Sequence, residues 1–167
     1  MNIPVRVEPS AGQMAAVEYR WDADTDILSA TLCSGFPPTA PKRTALELEG
    51  SDGSWLILDV NAGQISGVEV AVWPHVRTRS GLAPPSTIED ACVVVGAVER
   101  GKRLAVEVET KLDAEADRGE RTIHFRVGGS RETRTVRIAR HLLLDIDLRD
   151  RIAGLWLLDV PPFPDTT

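Results

Sequence analysis

The chain has 167 residues, 43% of them hydrophobic, with 19 basic and 25 acidic side chains and a formal charge of −6. A chain of this length buries roughly 70% of its unfolded surface, so this composition supports a sizeable core and excludes disorder over most of the length. The acidic balance, with no basic run interleaved with aromatics, excludes nucleic acid as a partner. No apolar run reaches the ~18 residues of a membrane span, so no membrane partner is expected.

The residues after Met1 include no apolar stretch of signal-peptide length, which gives a cytoplasmic location as the expectation. Cys33 and Cys92 share no C-x-x-C or metal-ligand spacing and are expected to be reduced, buried thiols.

The dominant period is two, the mark of β-strands. Leu46-Glu-Leu-Glu, Val68-Glu-Val-Ala-Val72, Val106-Glu-Val-Glu109 and Thr122-Ile-His-Phe-Arg-Val127 alternate apolar with polar residues. Gly, Asp, Asn and Pro clusters punctuate these runs as hairpin turns would. Strands are predicted near 4–8, 16–21, 26–33, 44–49, 54–60 and 64–73, and then near 91–98, 103–110, 120–127, 133–139, 141–147 and 152–159. Arg131 to Arg140 alternates basic residues with Thr, Val and Ile and looks like the wet face of a strand. Between the two sets, Ser86 and Glu89 have capping-box spacing. The β-branched run Cys92-Val-Val-Val95 favours a strand there, with at most a short helix near 86–92.

Two stretches match each other. Trp55-Leu-Ile-Leu-Asp59 aligns with His141-Leu-Leu-Leu-Asp145, and each leads through a polar turn to Gly67 or Gly154 in an Ile-x-Gly-apolar context. Upstream, Asp22-Ala-Asp-Thr-Asp26 is matched with Asp113-Ala-Glu-Ala-Asp117. The organisation expected is therefore a first β repeat over 1–75, a connector over 76–88, a second repeat over 89–161 and a tail over 162–167. Leu56, Leu58 and Val60 share one face of their strand while Trp55 and Ile57 take the other. Leu142, Leu144, Ile146 and Leu148 likewise oppose Leu143. Strands apolar on both sides need cover on both faces. An all-β unit of antiparallel hairpins in two pseudo-symmetric repeats follows, packed as a sandwich or barrel, or with one face used for dimerisation.

The first repeat, through Tyr19-Arg-Trp-Asp-Ala-Asp-Thr-Asp-Ile-Leu and Trp55-Leu-Ile-Leu-Asp-Val-Asn-Ala-Gly-Gln-Ile-Ser-Gly-Val-Glu-Val, resembles domain-of-unknown-function family 2283. These are small bacterial β proteins with a Tyr-Asp…Asp-x-Leu hairpin and a later Asp-x-x-Gly…Gly-Ile-Glu-Ile hairpin. The match covers about residues 17–73 and is weaker in the second repeat, where Val108 replaces the Tyr and Gly154-Leu-Trp replaces Gly-x-Glu. The resemblance implies a compact β fold in tandem form and, for some relatives, an antitoxin-like gene neighbourhood. It carries no catalytic residues.

Asp22, Asp24 and Asp26, with Asp113, Glu115 and Asp117, are the metal candidates. Each set places three carboxylates in one short stretch, but a hard cation wants six to eight oxygens. An EF-hand would need Gly and Glu where Ile27 and Cys33 stand, and a capped hairpin turn explains both sets. Asp59 and Asp145 end their strands and read as turn caps. His75, His124 and His141 have no common ligand spacing and read as structural or exposed. No nucleophile motif or phosphate loop occurs, so no catalytic residue and no cofactor are expected. Trp55, Trp73 and Trp156 are the interaction candidates, because Trp is enriched in interfaces. The function expected is a non-catalytic β module acting through self-association, as a homodimer, or through a protein partner. The alternatives are a metal-assisted or carboxylate-based enzyme or small-ligand binder using the Asp loops, and an antitoxin-like neutraliser.

Overall fold

The computed structural model describes residues 3–10, 12–33, 43–96 and 105–164. The named elements are all strands. They are β1 Val5–Pro9, β2 Ala16–Asp22, β3 Ile27–Cys33, β4 Arg43–Glu49, β5 Trp55–Asn61, β6 Gln64–Val72 and β7 Val76–Thr78. There follow β8 Glu89–Val95, β9 Ala105–Glu109, β10 Leu112–Ala116, β11 Ile123–Val127, β12 Thr133–Ala139, β13 Leu142–Asp147 and β14 Ile152–Leu157. They pair in the order β7-β10-β11-β14-β13-β12-β8-β6-β5-β4-β9, with β1 on β8 and the β2–β3 hairpin on β6. The mixed sheet curls into a half-barrel, so the molecule is an all-β, barrel-like unit.

Two groups of five strands share one order. β3 pairs with β2 and β6, and β5 with β6 and β4. In the same way β11 pairs with β10 and β14, and β13 with β14 and β12. Their registers agree through the central residues, while a bulge at Arg137/Ala139 in the second group and one at Trp55/Leu56 in the first have no counterpart. Leu28 faces Val70 as Ile123 faces Leu157, and Thr31 faces Gly67 as Arg126 faces Gly154. Asp59 opposes Gly67 and Asp145 opposes Gly154, with a bulge beyond each Asp. The difference lies in the following turn. Asn61 and Gln64 enclose the left-handed pair Ala62-Gly63, as a two-residue hairpin requires. Asp147 and Arg151 enclose one residue more, ending on left-handed Asp150. Leu148, expected on the inward face with Leu142, Leu144 and Ile146, instead opens this turn and is exposed, because β13 ends at Asp147.

The inward faces of both groups meet in one core. Leu46, Leu48, Leu56, Leu58 and Val70 pack with Phe125, Leu142, Leu144, Ile146 and Leu155, all at most 1% exposed. Side chains alternate along a strand, so each of these strands turns its remaining residues outward. The β2–β3 hairpin is tied to the far end of the chain. The Tyr19 hydroxyl donates to the carbonyls of Leu158 (2.7 Å) and His141 (3.2 Å), and Trp21 Nε1 donates to the Pro161 carbonyl.

Several expectations are corrected. The pairings are not all antiparallel, because β7 runs parallel to β10, β8 to β12 and β9 to β4. The expected connector contains β7, and β8 starts at Glu89 rather than residue 91. Residues 97–98 and 103–104 of the strands predicted at 91–98 and 103–110 lie outside the described residues. The Asp113–Asp117 stretch is not a turn matching Asp22–Asp26. Asp113 and Glu115 stand on β10 with buried Ala114 and Ala116 between them. By register it is Asp117, next after Ala116, that corresponds to Asp22. Alternation there is carried by Ala, whose small side chain gives little hydrophobic signal. Cys33 is exposed rather than buried, and Cys92 is half-buried; both are free.

Candidate interaction face

The two groups differ on their outward faces. In the second group every residue of β13 and β14 is buried. Leu143 and Trp156 point away from the main core and are capped by Leu82, Ile88 and Leu158, so the segment after β7 is folded over this face. Beneath that cover lies a polar cluster. Asp145, 6% exposed, accepts from the Thr135 hydroxyl at 2.7 Å and from Trp156 Nε1 at 3.2 Å. His124 Nε2 lies 2.7 Å from the other Asp145 oxygen, and its ring stacks on Trp156 with centroids 4.0 Å apart. A side chain at Gly154 would collide with this arrangement, so the glycine opens the space that Asp145 occupies. The adjoining cavity, lined by His124, Arg126, Ser130, Arg131 and Thr133 among others, measures about 100 Å³. Ligand sites run to roughly 300 Å³ and above. The cluster thus reads as a satisfied, buried network that fixes the outer layer.

The first group carries the same Asp–Gly opposition without the cover. Its equivalents of Thr135, His124 and Trp156 are Ala45, Ser29 and Glu69, and Asp59 is exposed. Trp55 and its register partner Val72 are 39% and 46% exposed, with half-buried Ile57 beside them. Around this apolar centre stand carboxylates. Glu47 and Glu49 project from β4, Asp59 from β5, Glu69 from β6, and Glu107 and Glu109 from β9. Burial raises the Glu69 carboxyl above its ordinary range, and the Asp59 charge beside it adds to the shift.

The sequence candidates are scattered by the fold. Trp55 lies on this open face. Trp73 stacks on Trp21 (5.7 Å) and packs against Phe125, and its Nε1 donates to the Asp26 carbonyl at the β2–β3 turn. Trp156 is 6% exposed and serves the Asp145 cluster instead of an interface. Asp22, Asp24 and Asp26 form the β2–β3 turn, in which Asp22 accepts the Asp24 N–H, while Asp113 and Glu115 pair with Lys111 and Arg79. Among the described residues, no group of three or more His, Cys, Asp or Glu side chains is placed to hold a metal ion. Asp145, expected to cap a turn, instead holds Thr135, His124 and Trp156, and Asp59 stands within β5 opposite Gly67 rather than at its end. The Cys92 thiol is pushed up by burial and by Glu8, which keeps it in the weakly nucleophilic thiol form.

The turn is capped two residues later, by Asp147. Burial alone would raise this carboxyl from its ordinary 3.8. Hydrogen bonds from the Arg131 side chain, the Arg149 and Arg151 N–H groups and the Arg151 side chain outweigh it and hold the pKa at about 2. A depressed carboxyl contributes stability above its unfolded pKa and loses it as pH falls through the folded one. The window here is 3.8 down to about 2. Asp147→Asn is expected to cost roughly 2 kcal/mol at pH 7 by that linkage and to flatten the acid limb of the stability curve. Urea melts at pH 7 and in acid check both.

No protein-family model matches the chain, and no curated protein matches it.

Proposed function

We propose that this chain is a non-catalytic binding module that engages a protein partner through the outer face of its first five-strand group, with Trp55 at the centre. The observation that carries the reading is the contrast between two groups of the same topology. One outer face is sealed by Leu82 and Ile88 over Leu143 and Trp156. The other leaves Trp55, Val72 and Ile57 uncovered. Identical strand order and matching central register further support reading the groups as a tandem duplication in which one copy keeps its face free. An exposed Trp flanked by apolar neighbours and rimmed by charge has the composition of an interface centre.

The test places a photo-cross-linking amino acid at Val72 in the full chain, in the cell it comes from, and compares it with the same residue at Leu148. Leu148 is 77% exposed at the tip of the β13–β14 hairpin. A discrete adduct from position 72 and none from position 148 is expected. Equal adducts from both positions, or none from 72, would overturn the proposal.

A further inference from the structure

We infer that the partner of the Trp55 face is a cationic protein surface, with Arg or Lys side chains arranged around an apolar centre. This rests on the reading above that the face binds protein, and adds the chemistry of what it binds. In the parallel pair β4·β9, Glu47 is the register partner of Glu107 and Glu49 of Glu109. Val108 between Glu107 and Glu109, and Val106 before them, turn inward against the core. The four carboxylates therefore stand side by side on the outer surface, two like-charged pairs in adjacent strands. Like charges in directly opposed positions are destabilising.

Across β5, the row continues through Ile57, which is paired with both Glu47 and Glu69. Among the described residues, none of Glu47, Glu49, Glu69, Glu107 and Glu109 is in an ion pair. The other outer faces differ: Arg79, Arg131, Arg134, Arg137 and Arg151 are all matched to nearby carboxylates. The charge of these five glutamates is thus unmatched among the described residues, and an incoming cationic surface would match it.

The same charge decides against a second copy. A two-fold dimer through this face would set each patch of carboxylates against itself, and like-charge juxtaposition across an interface costs several kcal/mol. Nucleic acid and anionic lipid are repelled for the same reason.

The experiment titrates the full chain with an amidated peptide alternating Arg and Leu over about ten residues, and with its Ser–Leu counterpart, at low and high salt. The Arg peptide is expected to bind, to weaken by about tenfold between roughly 0.05 and 0.5 M salt, and to weaken by a similar factor in the Glu47→Gln/Glu49→Gln/Glu107→Gln variant. Removing three other exposed carboxylates, by Glu89→Gln/Glu120→Gln/Glu132→Gln, should leave binding unchanged, which separates the face from the net charge. The face variant should melt no lower than the parent, because it relieves repulsion. Several results would sink the inference: equal binding of both peptides, equal weakening by the two triple variants, or reversible self-association at low salt. The underlying reading has its own marker. If Trp55→Ser abolishes binding of both peptides while charge has no effect, the face binds but does not select cations. If Trp55→Ser changes nothing, the face is not the binding surface.

Discussion

Leu58→Ala and Leu144→Ala are each expected to lose about 2–5 kcal/mol of folding stability, as truncations of fully buried leucines do. Leu58 is 0% exposed and lies between Leu46 on β4 and Val68 on β6. Leu144 is 1% exposed and lies between Val136 on β12 and Leu155 on β14. Both leucines sit on interior strands, paired on both sides, and both point into the one core that the two groups share. Neither site can refill by moving a loop, so the lost methyl groups leave a cavity. Leu148→Ala, at an exposed hairpin tip, should stay within about 0.5 kcal/mol and serves as the control. Denaturant melts read all three. A loss below 1 kcal/mol at either buried leucine would mean that its strand is not central.

The second large effect is steric. A Cβ added at Gly154 would lie 2.5 Å from the Phe125 carbonyl oxygen and 2.9 Å from Asp145 Oδ2. The first neighbour is backbone of the adjacent strand β11, so β11 and β14 must separate. The second is the carboxylate that holds His124, Thr135 and Trp156 together. Gly154→Ala is therefore expected to cost about 3 kcal/mol, at the upper end for overpacking. It should also change the near-ultraviolet signal of Trp156, whose Nε1 donates to Asp145. The equivalent Gly67 is less tight, with its nearest atoms the Ala30 carbonyl oxygen at 3.1 Å and Asp59 Oδ2 at 3.2 Å. Gly67→Ala should cost about 1 kcal/mol. Equal costs at the two glycines would contradict the close packing assigned to the second group.

The all-β class was legible because period-two alternation survives in most strands, and the equivalence of Asp59 with Asp145 and of Gly67 with Gly154 was legible as a matched motif; that each Asp stands opposite its Gly across a strand pair was not, since both Asp read as turn caps. β10 escaped because Ala114 and Ala116 are its inward residues and its outward ones are acidic, which reads as a turn. β7 escaped because it has three residues and gains its place by parallel pairing with β10, a non-local contact that no local pattern announces. The fate of the tryptophans was not legible either. Trp55 and Trp156 both occur in apolar strands, and only the fold of the connector over Leu143 separates the covered one from the open one. The His124–Asp145 pair joins residues on β11 and β13 that flank β14, so it could be found only once strand order was known. The acidic face was hidden similarly, since β4 and β9 are neighbours in space but far apart in sequence.

The most direct test of the account is the cross-link from Val72 measured in the presence of Trp55→Ser. Both residues lie on one outer face as register partners, and neither supports the core. The variant should fold with an unchanged melting curve and lose the adduct. Retention of the adduct at parental yield, in a chain that folds normally, would contradict the assignment of this face as the working surface.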